Sequence, residues 1–315
     1  MKNATYILAC VFSGLLLAGC AGQNSDQPLS ERPIRVVATT TMLADAVRIV
    51  GGERVAVHGL MGPGIDPHQY EASAGDVTRM ERADLVIYNG SHLEGKMEEV
   101  FAKMHGRTKT VAATEAIPAA ELRSVPDFEG GHDPHIWFDV LLWKKVIEHI
   151  RDKLAELDPA HAETYRSHGA KYLAELDALH RHVKEQSDRV PAGQRVLITA
   201  HDAFGYFARA YGFEVRGLQG VSTQSEASIA DVRELADFIV ERRIPAIFVE
   251  SSVPPKNIKA VQEAVEARGY RVDIGGELFS DSLGNLQEPA GSYAGMMRHN
   301  LDTIVKALTR DQATR

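Results

Sequence analysis

Cysteine is almost absent from this chain. Only two of its 315 residues are cysteine, and Cys10 lies inside the apolar run of the N-terminal segment "MKNATYILACVFSGLLLAGC". If that segment is a cleaved secretory signal, Cys20 is the single cysteine left in the mature chain. A single cysteine cannot form a disulfide within the chain, so the sequence predicts a fold that is stabilised by its hydrophobic core.

An excess of basic residues is also lacking. The chain has 35 Lys and Arg against 43 Asp and Glu, which gives a formal net charge of −8. A nucleic-acid partner requires a basic face, so we expect no nucleic-acid partner. Low-complexity tracts are missing as well. With 44% hydrophobic and 25% charged residues, the composition is that of an ordinary globular protein.

The N-terminal apolar run is too short to cross a bilayer. It covers residues 6–17 and follows a lysine, which is typical of a signal peptide, whereas a spanning helix needs roughly 20 residues. "LAGC" at 17–20 resembles the lipobox of bacterial lipoproteins. We expect a lipoprotein signal peptide at 1–19, lipid attachment at Cys20 and a flexible tether at 20–33. A signal peptide that is simply cleaved, without lipidation, is the alternative.

Strand-like and helix-like stretches alternate along much of the remaining chain. "PIRVVATT", "ADLVIYNG", "RVLITA" and "PAIFVESS" have the apolar, β-branched composition of buried strands, and amphipathic segments separate them. "YRVDI" at 270–274 is predicted as a further strand. This alternation indicates βαβ units on mainly parallel sheets.

A helical pattern without strands fills the middle of the chain. Between 160 and 189, apolar residues three, four or seven apart predict one long helix with a single apolar face, formed by Tyr165, Tyr172, Leu176, Leu179 and Val183. We therefore predict an α/β fold of two lobes, at 34–158 and 192–315. A long connecting helix at 159–191 bridges them, and the ligand site lies in the cleft between the lobes.

Two Asp-Pro-His triplets raise the question of a shared site. They occur in "GIDPHQY" and "GHDPHIWFD" and end at His68 and His135. Each proline restricts the backbone on both of its sides, so each histidine is held with little freedom. The aspartate two residues before each histidine is predicted to accept a backbone hydrogen bond in the turn rather than to bind metal.

Two further candidate ligands follow predicted strands. His201 stands at the end of "RVLITA", and Asp281 comes after "YRVDIGGELFS". Because ligands bind beyond the carboxyl ends of parallel strands, we expect these residues to meet His68 and His135 in the cleft. Three imidazoles and one carboxylate suit a first-row divalent metal. His132, beside the second triplet, is a weaker candidate.

Glu250, in "FVESS", is another carboxylate at a predicted strand end. We expect it to accept the proton of a ligand imidazole and so to fix that histidine's tautomer. A helix-capping or surface role for Glu250 is an equally weighted alternative.

Six stretches together resemble the bacterial metal solute-binding proteins of family 9. They are "DPHQYE", "ADLVIYNGSHLEGKM", "DPHIWFD", "AHDAFGYFARAYGF", "IFVESSVPPKNI" and "IGGELFSDSLG", and the resemblance extends from about residue 34 to 309. The resemblance implies a lipoprotein that binds zinc or manganese and delivers it to an ABC importer. It places the metal ligands at His68, His135, His201 and Asp281, and it also implies the long connecting helix and only a limited hinge motion.

The same resemblance implies the partners and the cellular location of the protein. The partners are the cognate permease and ATPase complex, with the chain itself expected to be a monomer. A lipid anchor holds it at the bacterial cell envelope, on the periplasmic face of a membrane or at the cell surface of a single-membrane host. Cell adhesion is associated with the family as a whole, and no feature of this sequence indicates it.

The resemblance leaves the metal open. Zinc-dedicated members often carry a long His-rich insertion before the second triplet, and "VPDFEGGHDPH" is short. Many manganese-dedicated members, however, have Glu where this chain has His201. The nitrogen-rich ligand set suits zinc better, because manganese prefers oxygen donors.

Two other functions compete with metal transport. In a secreted zinc hydrolase, Glu250 is the general base. Catalytic zinc usually has three protein ligands and one open position, whereas four ligands are expected here, and the chain contains no HExxH motif. In a surface adhesin, we expect a repetitive or contiguous apolar surface, which the sequence does not offer. We therefore expect a binding protein and not an enzyme.

Overall fold

Parallel β-strands form the framework of the first lobe. The computed structural model describes residues 28–309 except 105, 107, 126–127 and 129–130. Four strands pair in the order β2-β1-β3-β4, all parallel, and their bounds are β1 Ile34–Ala38, β2 Val55–Gly59, β3 Leu85–Tyr88 and β4 Thr110–Ala112. The expected signal peptide, and Cys20 with it, lie outside the described residues.

Helices connect and cover these strands. Their bounds are α1 Thr41–Gly51, α2 Ala74–Glu81, α3 Glu98–Met104 and α4 Val140–Leu157. No amphipathic pattern in the sequence predicts α2, which is short and largely polar. A capping box starts this helix, since Ser73 accepts from the N–H of Asp76 and the carboxylate of Asp76 accepts from the N–H of Ser73. The Ser-x-x-Asp spacing was therefore the signal for α2.

One long helix follows α4. This helix, α5 at Ala162–Ser187, has 26 residues and is about 39 Å long. It falls inside the predicted 160–189, and its apolar face is buried as predicted. A 3-10 turn at Pro159–His161 precedes it. The domain boundaries at 158/159 and 191/192 stay a prediction.

The second lobe repeats the parallel arrangement. β5 Val196–His201 pairs with β6 Glu214–Gln219, and β7 Ala246–Glu250 pairs with β8 Asp273–Leu278. β5 also lies alongside β7. The accompanying helices are α6 Gly205–Tyr211, α7 Ile229–Arg242, α8 Lys256–Glu266 and α9 Tyr293–Leu308. The expected α/β fold with parallel sheets is thus confirmed.

The prediction of a strand at 270–274 was wrong in its position. β8 begins at Asp273 and continues through Gly275 and Gly276 to Leu278. Glycine is unfavourable inside strands, which is why the sequence placed the strand earlier. Close packing explains the glycine, because a Cβ on Gly275 would lie 2.6 Å from the ring of Phe248.

One hydrophobic core crosses from lobe to lobe. It contains Val47 of α1, Trp143 of α4, Leu176 of α5, Phe204 just before α6, and Tyr293 of α9. The rings of Trp143 and Tyr293 stack with centroids 5.1 Å apart. The helices α4, α5 and α9 therefore bury their apolar faces in a core to which residues of both lobes contribute. None of the helices in the described part of the chain is long and apolar enough to cross a membrane.

Candidate metal centre

Four side chains from separate loops and strand ends meet between the lobes. His68 lies between β2 and α2, His135 just before α4, His201 at the last position of β5, and Asp281 three residues after β8. Each offers one ligand atom, and these four atoms all lie within 4.8 Å of one another. The sheets are parallel, so their carboxyl ends deliver the ligands to one place, as expected.

The distances within the group leave room for an ion at its centre. Nε2 of His135 is 3.4 Å from Nε2 of His68 and 3.4 Å from Nε2 of His201. The carboxylate of Asp281 lies 3.4 Å from Nε2 of both His135 and His201. Zinc binds nitrogen and oxygen at about 2.0–2.2 Å, so separations near 3.4 Å between ligand atoms fit a tetrahedral ion.

All four side chains are buried. The exposed fraction is zero for the three histidines and 2% for Asp281. Buried polar side chains in such number destabilise a fold unless hydrogen bonds or an ion satisfy them. These four side chains could hold a metal ion, and an ion at their centre would satisfy their buried polar atoms.

Asp133 orients the imidazole of His135. Its Oδ1 lies 2.7 Å from Nδ1 of that ring and also accepts the main-chain N–H of His135 at 2.9 Å. A carboxylate only accepts, so Nδ1 of His135 carries the proton and Nε2 presents its lone pair to the centre. The expected backbone contact of this aspartate is confirmed, but the contact to the ring was not foreseen.

Glu250 orients His201 in the same way. Its Oε2 lies 2.6 Å from Nδ1 of His201, and its Oε1 accepts the main-chain N–H of His201 at 2.9 Å. Glu250 ends β7 and His201 ends β5, so the contact joins two neighbouring strands. The geometry is that expected of a carboxylate that fixes the tautomer, and the surface alternative is wrong because Glu250 is 3% exposed.

Within the described part of the chain, His68 is fixed through hydrogen bonds of its backbone rather than through Nδ1 of its ring. Its N–H donates to Oδ1 of Asp66 at 2.9 Å, and its carbonyl accepts from Nε2 of Gln224 at 3.0 Å. Its ring Nδ1 has no hydrogen-bond partner among the described residues. The ring of His68 is therefore oriented by packing, unlike the other two.

Serines and a tryptophan hold Asp281. Ser252 donates its hydroxyl to Oδ2 of Asp281 at 2.9 Å, and Nε1 of Trp137 donates to the carbonyl of Ser280 at 2.9 Å. The first lobe thus holds the second-lobe loop that carries Asp281. His132 is not a member of the four-residue group.

The electrostatics of the group favour a dication. Burial raises the pKa of Asp281, but the charges and hydrogen bonds of His201 and His135 outweigh it, and the pKa falls well below the ordinary value. Burial lowers the pKa of His201, but the charges of Glu250 and Asp281 outweigh it, so its pKa lies well above the ordinary value. The carboxylates therefore attract protons to this site in the absence of any other cation.

The pKa values of His135 and His68 shift in opposite directions. Burial lowers the pKa of His135, but the charge and hydrogen bond of Asp133 outweigh it, and the net shift is upward. For His68, burial is the largest influence, and its pKa lies well below the ordinary value. Only the imidazoles with a carboxylate at Nδ1 are made more basic.

Comparisons with known proteins identify the family. A family model described as zinc-uptake complex component A, periplasmic, or ZnuA, matches residues 36–307. The chain belongs to this family. The resemblance read from the motifs is therefore confirmed.

The relatives of this ZnuA-family chain include proteins named for different metals. It is 49% identical over 306 residues to the zinc-binding protein TroA of Treponema pallidum, covering 96% of this chain and 98% of TroA. It is 44% identical over 305 residues to the manganese-binding lipoprotein MntA of Bacillus subtilis, covering 95% and 97%. A solved structure of the periplasmic zinc-binding protein TroA superposes with a TM-score of 0.86 at 51% identity, covering 88% of this chain and all of that one.

Proposed function

We propose that this protein is an extracytoplasmic solute-binding lipoprotein that captures a divalent transition metal, zinc or manganese, and delivers it to an ABC importer. The proposed ligands are His68, His135, His201 and Asp281. The observation that carries the proposal is the buried group of three imidazole nitrogens and one carboxylate oxygen within 4.8 Å. Membership of a family described as part of a zinc-uptake complex supports it.

Capture uses groups that are already in place. The carboxylates of Asp133 and Glu250 hold the rings of His135 and His201 with Nε2 toward the centre. Little reorganisation is then needed when the ion exchanges its water for the protein ligands, and preorganisation of this kind increases affinity. The negative charge of Asp281 offsets part of the charge of the incoming cation.

The ligand set argues for transport rather than hydrolysis. Four protein ligands fill a tetrahedral shell, whereas catalytic zinc keeps one position for water. Glu250, the general base of the hydrolase alternative, is bonded to both the ring and the backbone of His201. The comparisons support neither a hydrolase nor an adhesin.

The nitrogen-rich set favours zinc over manganese in solution. Imidazole suits zinc, manganese prefers oxygen donors, and the general affinity order of divalent metals also places zinc above manganese. Which of the two the cell imports depends on metal supply as well as on affinity.

Metal titration tests this proposal. The metal-stripped mature chain is expected to bind one Zn²⁺ per molecule, more tightly than Mn²⁺, as measured by chelator competition and by metal content after gel filtration. His201→Ala is expected to lose more than the roughly 10- to 100-fold that removal of an outer partner costs. His182→Ala, near the C-terminal end of α5, is the matched control and is expected to bind as the wild type does. Weak, non-stoichiometric binding, or unchanged binding in His201→Ala, would contradict the proposal.

Anchoring is a separate part of the proposal. We infer that Cys20 is lipidated after removal of 1–19 and that the tether at 20–33 holds a monomeric binding domain beside the permease and ATPase complex. The names of relatives such as the lipoprotein MntA support this. Cys20→Ser is expected to move the protein from the membrane fraction to the soluble envelope fraction in a bacterial host. Retention of Cys20→Ser in the membrane fraction would show that another feature anchors the chain.

A further inference from the structure

An arginine outside the ligand set connects the two lobes beside the metal ligands. The guanidinium of Arg123 donates from Nη1 to Oδ2 of Asp133 at 2.9 Å and from Nη2 to Oδ2 of Asp202 at 2.8 Å. Asp133 lies two residues before His135, and Asp202 directly follows His201. One side chain thus contacts the neighbours of a ligand in each lobe.

The backbone around Arg123 is fastened to the same elements. Its N–H donates to the hydroxyl of Tyr206 at 3.0 Å, and that hydroxyl donates to the carbonyl of Asp133 at 2.9 Å. The carbonyl of Arg123 accepts from the N–H of Asp133 at 2.9 Å. Arg123 is therefore fixed at both its backbone and its side chain, with half of its contacts in the second lobe.

A glycine leaves space for the guanidinium. A Cβ atom on Gly205, the first residue of α6, would lie 2.6 Å from the guanidinium carbon of Arg123. Any other residue at 205 would displace the arginine or the helix. The sequence "HDAFGYF" thus supplies Asp202, Gly205 and Tyr206 to one arginine in addition to the ligand His201.

Both oxygens of Asp133 are used in this arrangement. Oδ1 holds the ring and backbone of His135, and Oδ2 accepts from Arg123. Asp133 has no exposed surface, so removal of Arg123 would leave one oxygen of a buried carboxylate without its cationic partner. A charged group left unpaired in this way reorients or draws in water, and the ring bonded to it follows.

We propose that Arg123 is a positioning residue for metal binding: by bonding Asp133 and Asp202 it sets the imidazoles of His135 and His201 relative to each other across the two lobes. The inference rests on the proposed function, since it assigns a role in the same site. Arg123 does not touch the ion, and it acts through the two aspartates.

The test is a comparison of zinc affinity and cobalt spectra. Arg123→Met keeps the apolar stem and removes both ion pairs. Its Kd for Zn²⁺ is expected to rise by about tenfold or more, as for other outer partners of metal ligands. The visible absorption bands of bound Co²⁺, which report ligand geometry, are expected to shift. Arg123→Lys is expected to recover only part of the affinity, because one ammonium cannot reproduce a fork that bonds two carboxylates.

A matched control and a double variant separate positioning from general destabilisation. Arg209→Met removes the same charge on the same side of the molecule, where Arg209 stacks on Tyr206 at 4.9 Å and donates to the carbonyl of Glu121. It is expected to leave Kd and the cobalt spectrum unchanged. Because part of its effect runs through Asp133 and the rest through Asp202, Arg123→Met is expected to raise the Kd less in an Asp133→Asn background than in the wild type.

Three results would overturn the inference while leaving the proposed function intact. They are a wild-type Kd and cobalt spectrum in Arg123→Met, an equal effect of Arg209→Met, and full additivity with Asp133→Asn. Failure of the wild-type chain to bind Zn²⁺ would instead contradict the proposed function itself.

Discussion

In both Asp-Pro-His loops the aspartate accepts the main-chain N–H of its histidine at 2.9 Å. Beyond this turn the two loops differ. Asp133 also bonds the ring of His135, and its second oxygen accepts from Arg123. The second oxygen of Asp66 instead accepts from the hydroxyl of Thr223. The same three residues therefore fix the backbone equally but orient only one of the two rings.

The two loops also differ in the pKa of their histidines. The pKa of His135 is raised by Asp133, despite burial, and the pKa of His68 is lowered by burial. Burial also raises the pKa of Asp66, and the charge of Asp281 adds to this. A sequence repeat thus specifies a local turn, while the surroundings decide the proton affinity of the histidine within it.

The pH dependence of zinc binding is the largest expected effect. The pKa values of His135 and His201 are raised, so both rings hold protons at a pH where an ordinary histidine has lost them. Metal must displace these protons, so affinity is lost as the pH falls and the loss begins above roughly 6.5. Calorimetry in buffers of different ionisation enthalpy is expected to show that Zn²⁺ binding releases protons, and that it releases more of them at pH 6 than at pH 7.5. Affinity that is constant from pH 7.5 to 5 would contradict histidine ligation.

Replacing the aspartate of each Asp-Pro-His loop by asparagine, one at a time, compares the contributions of the two loops to zinc affinity. Asp133→Asn removes the charge that orients His135, and the Kd for Zn²⁺ is expected to rise about 10- to 100-fold. Asp66→Asn weakens a backbone turn and the contact with the hydroxyl of Thr223 but removes no partner of a histidine ring, so a rise of less than about tenfold is expected. Both values come from the same chelator competition. If the two variants were equally impaired, the distinction between the loops would be wrong.

The smallest expected effect concerns the hydrogen bond that Gln224 donates to the first Asp-Pro-His loop. Gln224→Ala removes the bond to the carbonyl of His68, and the rate of Zn²⁺ release is expected to rise about fivefold, equivalent to ~1 kcal/mol. Stopped-flow transfer to a chelator measures it. Gln262→Ala is the matched control, because Gln262 also donates to a carbonyl, that of Val272, at 2.9 Å and outside this loop. Equal release rates in the two variants would show that Gln224 does not restrain His68.

The ligand candidates were easier to predict from the sequence than the residues that contact them. The four ligand candidates could be read from strand ends, proline-bounded triplets and the resemblance, because these signals are local. Arg123 carried no signal, since Asp202, its second-lobe partner, is 79 residues away in sequence. A role for Glu250 in fixing the tautomer of a histidine could be proposed from the sequence but not preferred over a helix-capping or surface role. The contact of Glu250 with His201 depends on β5 and β7 lying side by side, which the sequence does not show.

The helices show the same limit. α5 was predictable because its apolar residues repeat on one face over many turns. α2 has too few apolar residues for such a pattern, so it was not predicted, and its capping box was the one local signal that could have identified it. β8 was misplaced because it contains two glycines, and local strand preference disfavours glycine. Close packing requires them, against Phe248 at Gly275 and against Thr303 at Gly276.

The core shared by the lobes has a consequence for folding. Because the apolar faces of α4, α5 and α9 belong to one cluster with residues of both lobes, a cut after α5 would expose them to water on either fragment. We therefore expect the two lobes to unfold together, in a single transition for the whole chain. An ion bound between the lobes then stabilises every part of the molecule at once, in proportion to its affinity and concentration.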